Sequence, residues 1–346
     1  VSKKTSLILS HGLRIWCRVE EDQTIATFVF HHACCDGIGA YQFIGDVLWF
    51  YGTAMGDELE PLIELNEADL RARLRESSGP ALLGFQKHAK MQPPFGAPVC
   101  PVASNGGSGQ AERVYPNFFT ATYEKNEYRD LRLKAQDRGQ TINEMLLENL
   151  FVALAKWNQK YGFENPEGDI AVNMPLDLRE PGQSTFSATN MVTTTLLRRT
   201  VSEIEDRDRL EQTLREELAK LKHGRFESPL IRYLITISKT IEEMAVEIGG
   251  DRCLATVTFS NTGDPTKRFL TQLPKVKGRV KAGNLVLEDI NGVSPLRINT
   301  RMAISLFSYQ RRLRLCMRTD SAYLSDQASQ EFLDSWVECI DSGLAK

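Results

Sequence analysis

Several features are missing from the 346 residues, and each absence narrows the reading. No apolar run approaches the roughly 20 residues that a helix needs to cross a bilayer. The opening stretch, VSKKTSLILSHGLRIW, is too polar for a secretory signal. A strong charge of either sign is missing, since the formal net charge is −3, so nothing electrostatic argues for binding nucleic acid. No C-x-x-C occurs among Cys17, Cys34, Cys35, Cys100, Cys253, Cys316 and Cys339; they are scattered and odd in number. That pattern indicates reduced thiols in a cytoplasmic protein rather than a disulfide framework. No internal repeat is evident.

What is present is ordinary globular composition, 42% hydrophobic and 25% charged. The length exceeds that at which single cores stop growing, so two subdomains are expected.

One stretch organises the rest: His31-His32-Ala33-Cys34-Cys35-Asp36-Gly37, or H-H-x-x-x-D-G. An apolar strand over 24–31 leads into it, and an apolar helix over 38–54 follows. Leu13–Val19 alternates and pairs as a hairpin with that strand across Glu20-Glu21-Asp22-Gln23. Successive side chains on a strand point to opposite faces, so only one of the two histidines faces a common site. A neutral imidazole can take a proton from an attacking hydroxyl or amine at ordinary pH. Asp36 can cap the following helix or pair with a cation, and both readings stay open. N–H groups at the helix start near Gly37 suit a developing oxyanion. A cysteine nucleophile at Cys34 or Cys35 ranks below a packing role for both. A zinc site is disfavoured because its ligands would crowd one turn. His11, His88 and His223 have no comparable context and read as surface residues.

Further along, 66–76 reads as a short charged helix. The stretch MQPPFGAPVCPVASNGGSGQAE is rich in Pro, Gly and Ser and reads as a linker or mobile loop. A strand over 118–123, a helix over 125–138 and a long helix to Tyr161 follow, the last opened by the capping box Thr141-Ile142-Asn143-Glu144. Strands are expected at 170–175, 190–196, 253–259, 284–289, 302–309 and 311–318. Helices are expected at 203–223, 228–247 and 325–342.

The histidine motif resembles the signature of the condensation-domain superfamily, also called chloramphenicol-acetyltransferase-like or CoA-dependent acyltransferases. Three further stretches are similar to that family in the same order. Asn173-Met174-Pro175-Leu176-Asp177-Leu178-Arg179 resembles the segment whose arginine pairs with the motif aspartate. Thr189-Asn190-Met191-Val192 resembles a G-N-x segment, with Thr189 replacing the glycine. Thr258-Phe259-Ser260-Asn261-Thr262-Gly263 resembles the S-N-x-G segment of free-standing alcohol acyltransferases. As bare sequence, Arg179 reads equally as a surface arginine, and Ser260 to Gly263 as a plain turn.

The resemblance implies an α/β (α+β) fold of two chloramphenicol-acetyltransferase-like subdomains, with mixed sheets flanked by helices around a V-shaped cleft. Residues 1–95 would form part of the N-terminal subdomain, 96–112 the linker and 113–346 the C-terminal subdomain. It implies His32 as general base, with Asp36 and Gly37 completing the catalytic group. Arg179 and His31 would support the site, and Ser260, Asn261 and Asn190 would touch substrate. It implies no metal and no permanently bound cofactor, with acyl-CoA as the donor substrate and a hydroxyl acceptor. The alternatives are an amide-forming condensation domain using carrier-protein thioesters and a non-catalytic binding relative. Family members carry many more residues before the histidine motif than the thirty here, which suggests a further N-terminal segment or a separate chain.

Overall fold

A computed structural model describes residues 12–62, 99–107, 118–179, 188–223, 253–297 and 299–343. The chain divides into two compact units that alternate along the sequence. The first comprises Val1–Arg71, Asp177–Val192 and Asp264–Ile290; the second comprises Ala72–Leu176, Thr193–Gly263 and Asn291–Lys346.

In the first unit, β1 (Leu13–Val19) and β2 (Thr24–Phe30) form an antiparallel hairpin with Leu13 opposite Phe30. The strand ends one residue earlier than expected. His31 adds one more rung, its N–H donating to the Gly12 carbonyl at 2.6 Å, and residues 32–34 then form a turn. Both histidines therefore lie past the strand. The alternation of strand faces does not govern them.

Helix α1 (Gly37–Ala54) starts at Asp36, whose side chain caps it. Its apolar residues run around much of the cylinder, and its small positions let other segments close in. A Cβ on Gly45 would sit 2.8 Å from Cγ of Phe269, beside the short helical turn Pro265–Arg268. Near the far end of α1, the Tyr51 hydroxyl donates to Asn284 at 2.6 Å.

The second unit is built on a six-stranded mixed sheet. Its members are β3 (Phe119–Tyr123), β4 (Ile170–Asp177), β5 (Val192–Arg199), β6 (Val257–Asn261), β10 (Met302–Tyr309) and β11 (Arg312–Thr319), in the order β3-β11-β10-β6-β4-β5. Strands β7 (Lys275–Val276), β8 (Arg279–Ala282) and β9 (Leu285–Val286) form a separate small sheet in the first unit. The strand expected at 284–289 shrinks to that last pair.

Helix α2 (Lys125–Asp137) precedes α3 (Ile142–Tyr161), which opens on the Thr141–Glu144 capping box. The charged stretch after β5 is two helices, α4 (Val201–Glu205) and α5 (Arg207–His223), separated at Asp206. Helix α6 (Asp326–Gly343) closes the chain. One sheet face, carrying Phe259, Ile304, Leu315 and Met317, shares a fully buried core with Leu150, Phe151 and Leu154 of α3 and Phe332 and Trp336 of α6. Each such side chain contributes about 1.5–3 kcal/mol by leaving water, and this sets the sheet against α3 and α6.

Residues 99–107 correct the linker expectation. Cys100, Val102 and Ala103 are fully buried. Asn158 of α3 accepts from Ala103 N–H at 2.8 Å and donates to the Pro101 carbonyl at 2.9 Å, while Trp157 Nε1 donates to the Ala103 carbonyl at 3.0 Å. The segment lacks periodicity because side chains of α3, rather than a regular ladder, satisfy part of its backbone. The rest of 92–112, the helices expected at 66–76 and 228–247, and His11, His88 and the side chain of His223, all three expected at the surface, lie outside the described residues.

Candidate active site

Asp36 is the centre of the site. Its backbone is extended (φ −86°, ψ 176°), as an N-cap requires, and its Oδ1 accepts from Gly39 N–H at 2.8 Å. The same carboxylate faces Arg179, which extends from the segment just after β4. Nη1 donates to Oδ2 and Nη2 to Oδ1, each at 3.0 Å, in a bidentate fork. Met191 N–H adds a further donor to Oδ2 at 2.6 Å. Cap and ion pair are thus one arrangement. Both side chains are only 4% exposed, so neither charge could be held there without the other.

Arg179 is itself held in place. Nη1 also meets Asp177 Oδ1 at 3.1 Å, and Nη2 donates to both the carbonyl and the hydroxyl of Thr189 at 3.2 Å. Thr189 therefore contributes acceptors to the guanidinium.

The 188–191 segment presses on the start of α1. Asp36 N–H donates to the Thr189 carbonyl at 3.1 Å, and Ala188 N–H to the Gly39 carbonyl at 3.0 Å. A Cβ on Gly39 would lie 2.4 Å from the Thr189 carbonyl oxygen. Only glycine fits that contact. Gly39 was not among the expected site residues, although the repeated glycines of D-G-I-G were visible in the sequence.

The two histidines differ. His31 is half-buried, and its Nδ1 accepts from Ala33 N–H at 3.2 Å. His32 is exposed, and its Nδ1 lies 3.1 Å from the Cys35 carbonyl. A carbonyl oxygen only accepts, so the neutral His32 ring turns Nδ1–H towards it, and Nε2 carries the lone pair. Asn190 Nδ2 donates to the His32 carbonyl at 2.6 Å. Asn190 lies just outside β5, two residues before the strand begins, rather than within a strand.

Cys35 is buried, with Sγ donating to the Asp36 carbonyl at 3.2 Å. Burial, and next the Asp36 charge, push its thiol up to about 12, with Arg179 partly opposing. It stays a thiol at neutral pH and is a poor nucleophile. Cys34 is exposed beside it. Among the described residues no group of three or more His, Cys, Asp or Glu is placed to hold a metal ion.

Gly37 is the first residue of α1. Ser260 and Asn261 end β6 in the second unit. There the Asn261 side chain accepts from Gly263 N–H at 3.0 Å and donates to Asn143 at 3.2 Å, which closes the S-N-x-G turn.

Compared with solved structures, the chain is similar to the epimerization domain from the third module of tyrocidine synthetase B. Identity is 15% and the TM-score 0.57, covering 97% of this chain and 73% of that one. The condensation domain of the monacolin K polyketide synthase MokA matches at 14% identity and TM-score 0.60, covering 97% and 73%. Trichothecene 15-O-acetyltransferase from Fusarium sporotrichioides matches at 14% identity and TM-score 0.60, covering 96% and 70%. The chain has the condensation-domain, chloramphenicol-acetyltransferase-like fold. No protein-family model and no curated protein sequence matches it.

That fold carries at least three differently named activities among these structures, so the residues of the site, rather than the fold, must specify the chemistry. In this chain the condensation-domain-like scaffold places the motif loop at the start of α1 and braces it from Arg179 and from residues 188–191. Among the described residues no helix is long and apolar enough to cross a membrane.

Proposed function

We propose that this protein transfers an acyl group from a thioester donor, a CoA thioester, to a hydroxyl acceptor, with His32 as the general base. The carrying observation is the His32 ring, whose Nδ1 faces the Cys35 carbonyl at 3.1 Å. This leaves Nε2 as a lone-pair nitrogen on an exposed turn braced by a buried ion pair.

The reaction follows from that nitrogen. Nε2 accepts the acceptor's hydroxyl proton as the oxygen attacks the thioester carbonyl carbon. The C–O bond forms, and the carbonyl electrons move onto oxygen. Collapse of the tetrahedral species breaks the C–S bond, and the imidazolium returns the proton to the departing thiolate. Base catalysis of this kind supplies about 10²–10⁴-fold, and positioning of both substrates supplies much of the remainder. The oxyanion needs donors not otherwise committed. Gly39 N–H is spent on Asp36, so the first N–H of α1, at Gly37, is the better candidate. Asp36 and Arg179 position the loop and transfer no proton.

The test is thiol release from a panel of acyl-CoA thioesters with mixed alcohols and amines, in the wild type and His32→Ala, with product masses recorded. Release that disappears in the variant and an ester product support the reading. An amide product, or release only from carrier-loaded thioesters, favours the condensation-domain alternative. Unchanged release in His32→Ala removes the histidine from its role.

A further inference from the structure

The resemblance offers Asn190 as a substrate contact, but an N–H of its amide is already committed to the His32 carbonyl. We propose that Asn190 is a positioning residue that holds the backbone of His32, and through it the basic nitrogen, in place. This rests on the reading of His32 as the base.

The geometry behind it is a two-ended grip. The 188–191 segment takes hold of Asp36 through the Thr189 carbonyl, which accepts from Asp36 N–H at 3.1 Å, and through Met191 N–H, which donates to Oδ2 at 2.6 Å. Between those two residues, Asn190 reaches the other end of the turn and donates to the His32 carbonyl at 2.6 Å. Asp36 has further anchors in Arg179 and Gly39 N–H. At His32, the contacts are the Asn190 amide on the carbonyl and the Cys35 carbonyl on the ring. The Cys35 carbonyl belongs to the same turn, so it fixes the ring relative to the turn but not the turn relative to the fold. His31 N–H ties the preceding residue to the Gly12 carbonyl at 2.6 Å, and Asn190 adds the constraint at His32 itself. A neutral donor suits the task, because a charged side chain there would alter the proton affinity of the neighbouring imidazole.

The location also separates catalytic from structural consequences. Asn190 and His32 are exposed, whereas Asp36 and Arg179 are buried. Removing an exposed hydrogen bond leaves no buried group unsatisfied, so the fold should tolerate the loss. Catalysis is less tolerant, because small misplacements of a base are felt directly in the rate.

The experiment uses Asn190→Leu, which keeps the branched shape without the donor, and Asn190→Ala. Kcat and KM are measured for both substrates, and the position and width of the His32 ring signal are read by imidazole ¹⁵N NMR, with the signal assigned through His32→Ala. The expected result is a kcat lower by roughly 10- to 100-fold, an unchanged KM for both substrates, an unchanged thermal midpoint, and a His32 ring signal that keeps the Nδ1–H form but shifts and broadens as the turn samples more positions. A raised acceptor KM with unchanged kcat would overturn the proposal and restore Asn190 as a substrate contact. An identical His32 signal in the wild type and both variants would also overturn it. The NMR readout needs no turnover, so it decides the positioning role even if the acyl-transfer reading fails.

Discussion

Arg179 and Asp36 stand 143 residues apart in sequence and meet through two parallel contacts of 3.0 Å, with both side chains buried. Their pairing joins the stretch after β4 to the first turn of α1. The desolvation of two charges is offset here by the fork geometry and by Gly39 and Met191 N–H groups on the carboxylate.

Arg179→Ala should therefore destabilise the protein by about 3–5 kcal/mol, because it strands a buried carboxylate. Arg179→Lys should recover only part of this, since an ammonium cannot form the fork. Urea unfolding monitored by tryptophan fluorescence measures both. Full stability in the alanine variant would show that the pair does not brace the loop.

Gly39→Ala sets helix propensity against close packing. Alanine is the better helix former by up to about 1 kcal/mol. Its Cβ, however, would lie 2.4 Å from the Thr189 carbonyl oxygen and 2.8 Å from its nitrogen. The variant should lose at least about 1 kcal/mol, the usual cost of forcing a methyl into packed backbone. A variant more stable than wild type would show that the 188–191 segment does not press on the helix.

Cys34 and Cys35 should behave oppositely towards an alkylating reagent at pH 8. Cys34 is exposed and should label quickly; Cys35, buried with its thiol pushed up to about 12, should label only on unfolding. A folded-state value above the ordinary 9.0 means that the neutral thiol stabilises the fold, fully so below pH 9, and that this contribution fades as pH rises towards 12. The stability advantage of wild type over Cys35→Ala should shrink across that window. Peptide mapping of the labelled protein and alkaline urea titrations check the two statements.

The β10–β11 hairpin turns through Gln310 and Arg311, both left-handed at φ 54° and 62°. Such a turn favours glycine or asparagine. Arg311→Gly should raise the unfolding free energy by up to about 1 kcal/mol, and Arg311→Val should lower it. Thermal unfolding of the two variants compares them directly.

Most local elements were legible in the sequence. The β1–β2 hairpin, the Asp36 cap and the Thr141–Glu144 box each depend on residues within a few positions of one another. The histidine turn was legible as a motif, but the strand was expected to carry His31, and it stops at Phe30. The stretch at 99–107 read as a linker because its Pro, Gly and Ser carry no period. Its order comes from Trp157 and Asn158, more than fifty residues away. Asn190 was legible as a residue to watch, and its partner was not.

By itself the sequence determined the elements and the chemistry on offer: two histidines, a carboxylate and a turn between a strand and a helix. Short-range hydrogen bonds and apolar spacing suffice for that. Tertiary structure decided which groups the chemistry is anchored to. Arg179, Asn190 and Met191 reach the motif across 143 to 158 residues of chain. Such contacts depend on how Arg179 and residues 188–191 pack on the start of α1, and packing at that range leaves no periodic trace in the residues it joins.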